Sequence, residues 1–189
     1  MSKVHSLSLV DRVRYAYLAY FSKPKVNRAV YRAIRKLRPK AIVEIGVGSA
    51  ERAVRAISLA AKLQPGERIA FTAVDMFEAS PPGRASLGVK KCHQHLSATG
   101  AKIQLVPGDP FSALARMANS LMGTDLLIIA ADQQGESLDR AWFYVPRMLH
   151  DASVVLLEEP AADGMTAFRQ LAKSEVVGKY VGDMRRRAA

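Results

Sequence analysis

Ala41-Ile42-Val43-Glu44-Ile45-Gly46-Val47-Gly48-Ser49-Ala50 is the stretch on which the fold turns. A short, mostly apolar run is cut off by one glycine, and a second follows two residues later. From position 50 to 63 the apolar residues return at helical spacing (Ala53, Val54, Ile57, Ala60, Ala61) until Pro65-Gly66 stops them. A continuous apolar run of this length suits a strand covered on both faces, as in a parallel sheet. Gly46 and Gly48 let the backbone turn sharply and approach a ligand with no Cβ in the way.

Working outward, the alternation repeats. Ile69 to Val74 reads as a second strand ending at Asp75, and the turn-rich Ser80–Arg84 leads to a helix near 86–98 that Gly100 stops. Lys102 to Val106 is a third strand with its helix at Pro110 to Leu121. Asp125 to Ala131 is a fourth, followed by a helix over 137–149. Ser153 to Leu157 is a fifth, and a helix near 164–174 follows it. Five strands, each followed by a helix, need crossover connections. The expectation is a Rossmann-like, doubly wound α/β domain, its mostly parallel sheet covered by helices on both faces.

Two helices precede the sheet. Ser8 with Asp11 three residues on has the form of a capping box. Val10, Val13, Tyr17 and Phe21 fall on one face, predicted to be buried, and Pro24 ends the segment. A second helix over about 25–38 places Val26, Val30, Ile34 and Leu37 inward and Arg28, Arg32, Arg35 and Lys36 outward.

The 189 residues suit one domain, residues 1–189. One cysteine, Cys92, excludes an internal disulfide framework and points to a reducing, cytoplasmic setting. No secretory h-region and no transmembrane segment is present. The net charge of +11 is unevenly placed. Residues 1–40 hold eleven Lys/Arg against Asp11 alone, the core at 41–184 is slightly negative, and Arg185-Arg186-Arg187 form a basic tail within 185–189.

Ligands of open α/β sheets bind beyond the carboxyl ends of the strands, where strand order reverses. The residues expected there are Glu44, Gly46 and Gly48, then Asp75 with Met76, then Gly108, Asp109 and Phe111. A buried Glu44 needs a cation or a donor, which the ammonium of S-adenosylmethionine (SAM) could supply. Asp75 is placed for ribose hydroxyls, Asp109 for the adenine amino group and Phe111 for the edge of the ring. Each acid taken alone is also a common helix cap or strand end. A dinucleotide fingerprint would want glycine at position 51, where Glu51 instead would repel a pyrophosphate.

Glu44-Ile45-Gly46-Val47-Gly48-Ser49-Ala50 resembles motif I of class I SAM-dependent methyltransferases, with Ala50 in place of the third glycine. Asp75 resembles the acid closing their second strand, Gly108-Asp109 their adenine-side motif, and Thr124 to Asp132 their fourth-strand motif. The catechol and caffeoyl-CoA type of small-molecule O-methyltransferase is the nearest in flavour, over about residues 25–160. The resemblance implies SAM as cofactor, with Asp132 added to the candidate site, and methyl transfer to an oxygen or nitrogen of a small or medium-sized acceptor. It also implies antiparallel strands at the end of the sheet, here shortened or missing, since 175–189 holds only Val176-Val177-Gly178-Lys179-Tyr180-Val181 for them.

Metal-dependent relatives carry an Asp at the end of strand four and an Asp-Asn pair at strand five. Here those places read Ala130 and Glu158-Glu159-Pro160. No Mg2+ site is therefore expected, although Asp132, Glu158 and Glu159 could form one. No catalytic base stands out: His93 and His95 diverge on a helix, His150 sits in a turn, and Trp142 and Tyr144 read as packing. Two alternatives stay open. Residues 1–40 could follow RNA phosphates, making the acceptor RNA, or the chain could bind SAM without catalysis. A homodimer completing the acceptor pocket also stays open.

Overall fold

The computed structural model describes residues 9–161 and 164–188, with side chains described through Tyr180. Ser8, and with it the expected capping box, lies outside the described residues, as do the side chains of Arg185, Arg186 and Arg187.

Six strands form one sheet: β1 (Ala41–Ile45), β2 (Ala70–Asp75), β3 (Lys102–Pro107), β4 (Thr124–Ile129), β5 (Leu149–Pro160) and β6 (Thr166–Gln170). Their order is β3-β2-β1-β4-β5-β6. The first five are parallel and β6 runs antiparallel to β5. Strand order reverses between β1 and β4, whose ends align with Ile45 opposite Ile129. The doubly wound expectation holds.

Alternation along each strand explains the continuous apolar runs. Ile42, Phe71, Leu126 and Ile128 face one core with helices α2 (Arg28–Leu37), α3 (Glu51–Leu63) and α4 (Val89–Ser97). Val43, Ile45, Val74, Leu127 and Ile129 face the other. That second core is closed by α5 (Pro110–Met117), α6 (Glu136–Ala141), α7 (Val145–Met148) and the start of α8 (Lys173–Ala188). Trp142 is 2% exposed there, a packing residue as expected. Glu44 shares the face of Ile42, so its side chain points at α3.

Two regions correct the sequence reading. At the carboxyl end, the helix expected near 164–174 is strand β6, and the Val176–Val181 run expected as strand lies in α8. Leu156 to Pro160 of β5 pair with Gln170 back to Thr166. The paired edge outweighs the helix periodicity read there, and burying Val176 in the second core outweighs its β-branched preference. The antiparallel part of the sheet is thus one strand.

At the amino end, α1 (Leu9–Ala16) continues as a π turn over Tyr17–Phe21, and a 3-10 turn at Lys25–Asn27 leads into α2. The stripe Val10, Val13, Tyr17 and Phe21 faces solvent. The segment packs through Tyr15, Leu18 and Ala19 instead. Both sides of this helix are apolar, so periodicity alone selected the wrong one. Among the described residues, no helix is long and apolar enough to cross a membrane.

Candidate functional site

A cleft of about 330 Å³ opens where the strand order reverses. Its walls are the Gly46-Val47-Gly48-Ser49 turn after β1, Ala130-Ala131-Asp132 after β4, and Pro24, Val26 and Asn27 ahead of α2. Gly46 adopts φ +86°, and a Cβ on it would stand 2.7 Å from the Gln133 side chain and 2.8 Å from that of Ala130. Only glycine fits there. Ala50, the non-glycine member of the motif, sits in the left-handed region at φ 61°.

Asp75 holds this turn from below. One carboxylate oxygen accepts from the amides of Val47 (2.8 Å) and Gly48 (3.0 Å), and the other from the amide of Met76 (2.7 Å). The side chain is buried. Asp75 therefore lies under the turn, and neither it nor Met76 is on the cleft wall.

Glu44 is wholly buried and already has a cation, Arg52. The Arg52 Nε donates to Glu44 Oε1 at 2.7 Å, its Nη2 reaches the Gly46 carbonyl at 3.1 Å, and its Nη1 stands 3.6 Å from Glu158. Burial pushes the Glu44 carboxyl up, and Arg52 opposes that. Burial alone would lower the Arg52 guanidinium, but Glu44 and Glu158 raise it. The two form a charged pair. Glu44 Oε2 and, on the cleft wall, Asn27 Oδ1 are buried without a hydrogen-bond partner.

Asp132 lines the cleft and is bound by Arg84, which donates to its carboxylate and, at 2.6 Å, to its carbonyl. Burial would raise its carboxyl, but Arg84 holds it below the usual range. Glu158 accepts from the Thr166 hydroxyl and from the Ala131 amide at 3.3 Å. Glu159 pairs with Arg169 at 2.8 Å. Asp132, Glu158 and Glu159 thus each have their own cationic or hydroxyl partner. Among the described residues no group of three acids, histidines or cysteines is arranged to hold a metal.

The candidates after β3 stand apart from the cleft. Asp109 caps α5, accepting from the Phe111 amide (3.0 Å), the Ser112 amide (3.2 Å), the Ser112 hydroxyl (2.5 Å) and the Ser137 hydroxyl. Burial opposes its ionisation, yet these donors hold the carboxyl at about 2. Gly108 precedes it at φ +135°. The Phe111 ring lies under the Arg140 guanidinium, 3.9 Å from its centroid.

The structure thus gathers Gly46, Gly48 and Asp132 around one cleft with Glu44 behind it, and leaves Asp75, Met76, Gly108, Asp109 and Phe111 off its wall. Arg52, Arg84 and Asn27 were not foreseen. Arg52 had a signal: a buried Glu44 demands a cation, and an arginine on the first turn of the next helix is within reach.

No family model and no curated protein matches the chain. Solved structures do. The calicheamicin methyltransferase CalS11 is similar at a TM-score of 0.57 and 16% identity, covering 84% of this chain and 84% of that one. The O-methyltransferase TomG from Streptomyces achromogenes, solved with SAM, is similar at 0.52 and 11% identity, covering 87% and 77%. At such identity the likeness establishes the fold, which is the one these methyltransferases share. The resemblance read from the motifs is borne out at that level.

Proposed function

We propose that the chain binds SAM in the cleft between the ends of β1 and β4 and transfers its methyl group to an oxygen or nitrogen of a small or medium-sized acceptor. The observation that supports this most is the charge around the cleft. Glu44, Glu51, Asp132 and Glu158 stand against Arg52, Arg55 and Arg84, one negative charge in excess. SAM carries a sulfonium, an ammonium and a carboxylate, one positive charge in excess. Asn27 Oδ1 offers an unpartnered acceptor to the ammonium, and Arg52 a guanidinium to the carboxylate. A dinucleotide would instead bring pyrophosphate charge against Glu51, which opens α3 on the cleft wall.

Bound SAM supplies an electrophilic methyl group. The protein's part is to position and exclude water: methyl transfer proceeds largely by proximity and in-line alignment. The Gly46–Gly48 turn, fixed by Asp75, shapes the seat, and Ala130 leaves room beside it. The carboxylates facing the cleft have partners, so no residue is assigned as a base and no step is routed through a metal. That pairing also favours a second reading, a SAM-binding protein without turnover. We place either protein in the cytoplasm.

Calorimetry decides the cofactor. SAM and S-adenosylhomocysteine should bind, and NAD at equal concentration should give no heat. Tight NAD binding without SAM binding overturns the proposal. Methyl transfer to a panel of small hydroxyl and amine acceptors then separates the enzyme from the silent binder.

A further inference from the structure

Six large apolar residues of the amino-terminal segment stand in solvent: Leu9, Val10, Val13, Tyr17, Tyr20 and Phe21, each between 54% and 76% exposed. At the helical turn angle they fall within one arc of roughly 120°, and no polar residue of the segment interrupts it. Among the described residues the other large exposed apolar side chains, Met122, Met165 and Val177, belong to three other parts of the chain. Single exposed apolar side chains are ordinary, whereas a continuous patch marks an interaction surface.

The opposite side of the helix is already used. Leu18 and Ala19 are buried, Arg35 lies over the Tyr15 ring at 4.4 Å, and Asp11 pairs with Lys62 of α3. The segment's only carboxylate therefore faces inward. Arg12 and Arg14 border the exposed arc on its two sides, and Lys23 and Lys25 follow it; all four are exposed. The surface is an apolar strip edged by cations, with no acid of this segment on it.

We propose that the Leu9–Phe21 face docks on an anionic lipid bilayer, its apolar arc in the acyl boundary and its lysines and arginines among the headgroups. Charge selects this occupant. A second copy would bring the same cations against each other with no carboxylate to meet them. RNA would satisfy the cations but leave Leu9, Val10 and Val13 in water, since aliphatic side chains offer bases nothing to stack on. An anionic bilayer satisfies both halves, as interfacial helices with apolar and basic faces do. The inference is independent of what the cleft binds.

The test is co-sedimentation of the full chain with vesicles of phosphatidylcholine, with or without about 30% phosphatidylserine, at about 0.15 M salt. Binding to the anionic vesicles should be at least about tenfold tighter, because each cation near the surface adds to the attraction. A Val13→Asp/Tyr17→Asp variant changes only exposed positions and should keep the thermal melt of the parent while losing the vesicles. A Phe21→Trp variant should show blue-shifted fluorescence on adding anionic vesicles, which reports insertion and not mere adhesion. Equal binding by the parent and the double Asp variant overturns the proposal. So does self-association through this face without vesicle binding, or RNA binding that the double Asp variant leaves unchanged.

Discussion

At the scale of single residues, Asp75 is bound to the backbone around the cleft. Its place at the end of β2 suits a ribose acceptor, yet its hydrogen bonds all come from backbone amides, two from Val47 and Gly48 of the turn and one from Met76. Removing a charged acceptor leaves buried amides unpaired, at roughly 1–3 kcal/mol each. Asp75→Ala is therefore expected to lower stability by about 2–6 kcal/mol in urea unfolding, counting those two amides, and to weaken SAM at least tenfold by releasing its seat. Asp75→Asn, which keeps one acceptor oxygen, should recover part of both. Lost affinity with unchanged stability would return Asp75 to a purely ribose-binding role. What the sequence discloses here is which residues matter: the acid, the two glycines and the strand ends are legible from spacing. Which atom meets which is not, because a carboxylate at a strand end can turn outward to a ligand or inward to the loop. Glu44 teaches the same lesson. Burial demanded a cation, and the chain supplied its own in Arg52.

At the scale of elements, strands β1 to β4 and helices α3 to α5 were readable because pattern and turn signals agreed. Gly46, Pro65-Gly66, Gly100 and the Asp109-Pro110 pair punctuate them clearly. The last elements were not readable, because edge pairing decides them: Thr166–Gln170 becomes a strand through its partner Leu156–Pro160, a contact outside any local window. The α5 cap carries its own pH signature. Asp109 titrates at about 2 in the folded protein against an ordinary 3.8. Its folded value is depressed, so it stabilises the protein above the ordinary carboxylate range, and that contribution is lost as pH falls toward 2. Asp109→Ala should cost about 0.5–2 kcal/mol at neutral pH, the usual worth of such a cap. Urea midpoints of parent and variant should differ by a constant amount above about pH 5 and converge as the acid protonates. A gap that is unchanged down to pH 2 would mean that the side chain acts by shape and not by charge.

At the scale of the whole molecule, the question is what the amino-terminal cations do. Arg28, Arg32, Arg35 and Lys36 read from sequence as the outward face of an amphipathic helix. Three of them have structural partners. Arg28 donates to the Ser22 carbonyl at 2.9 Å, Arg32 to the Ala19 carbonyl at 3.2 Å, and Arg35 covers Tyr15. Ser22 and Ala19 flank the end of the π turn, where helix-end carbonyls lack intrahelical donors. Together these arginines fasten the segment before α2 to the α/β body. Their partners Tyr15, Ala19 and Ser22 all lie ahead of α2 and outside the sheet. Changing Arg28, Arg32 and Arg35 to Gln should therefore loosen residues 9–22 selectively. Hydrogen exchange is expected to quicken there by about tenfold or more, the effect of losing a kcal/mol or two of local stability. Amides of β1, β2 and β4 should exchange at the parent's rate. Lys36→Gln alone, at an exposed position, is the control and should change neither region. Uniform quickening across the sheet would show the segment and the body to be one cooperative unit. No change at all would leave these arginines as the solvated face that periodicity suggested, available in full to an anionic partner.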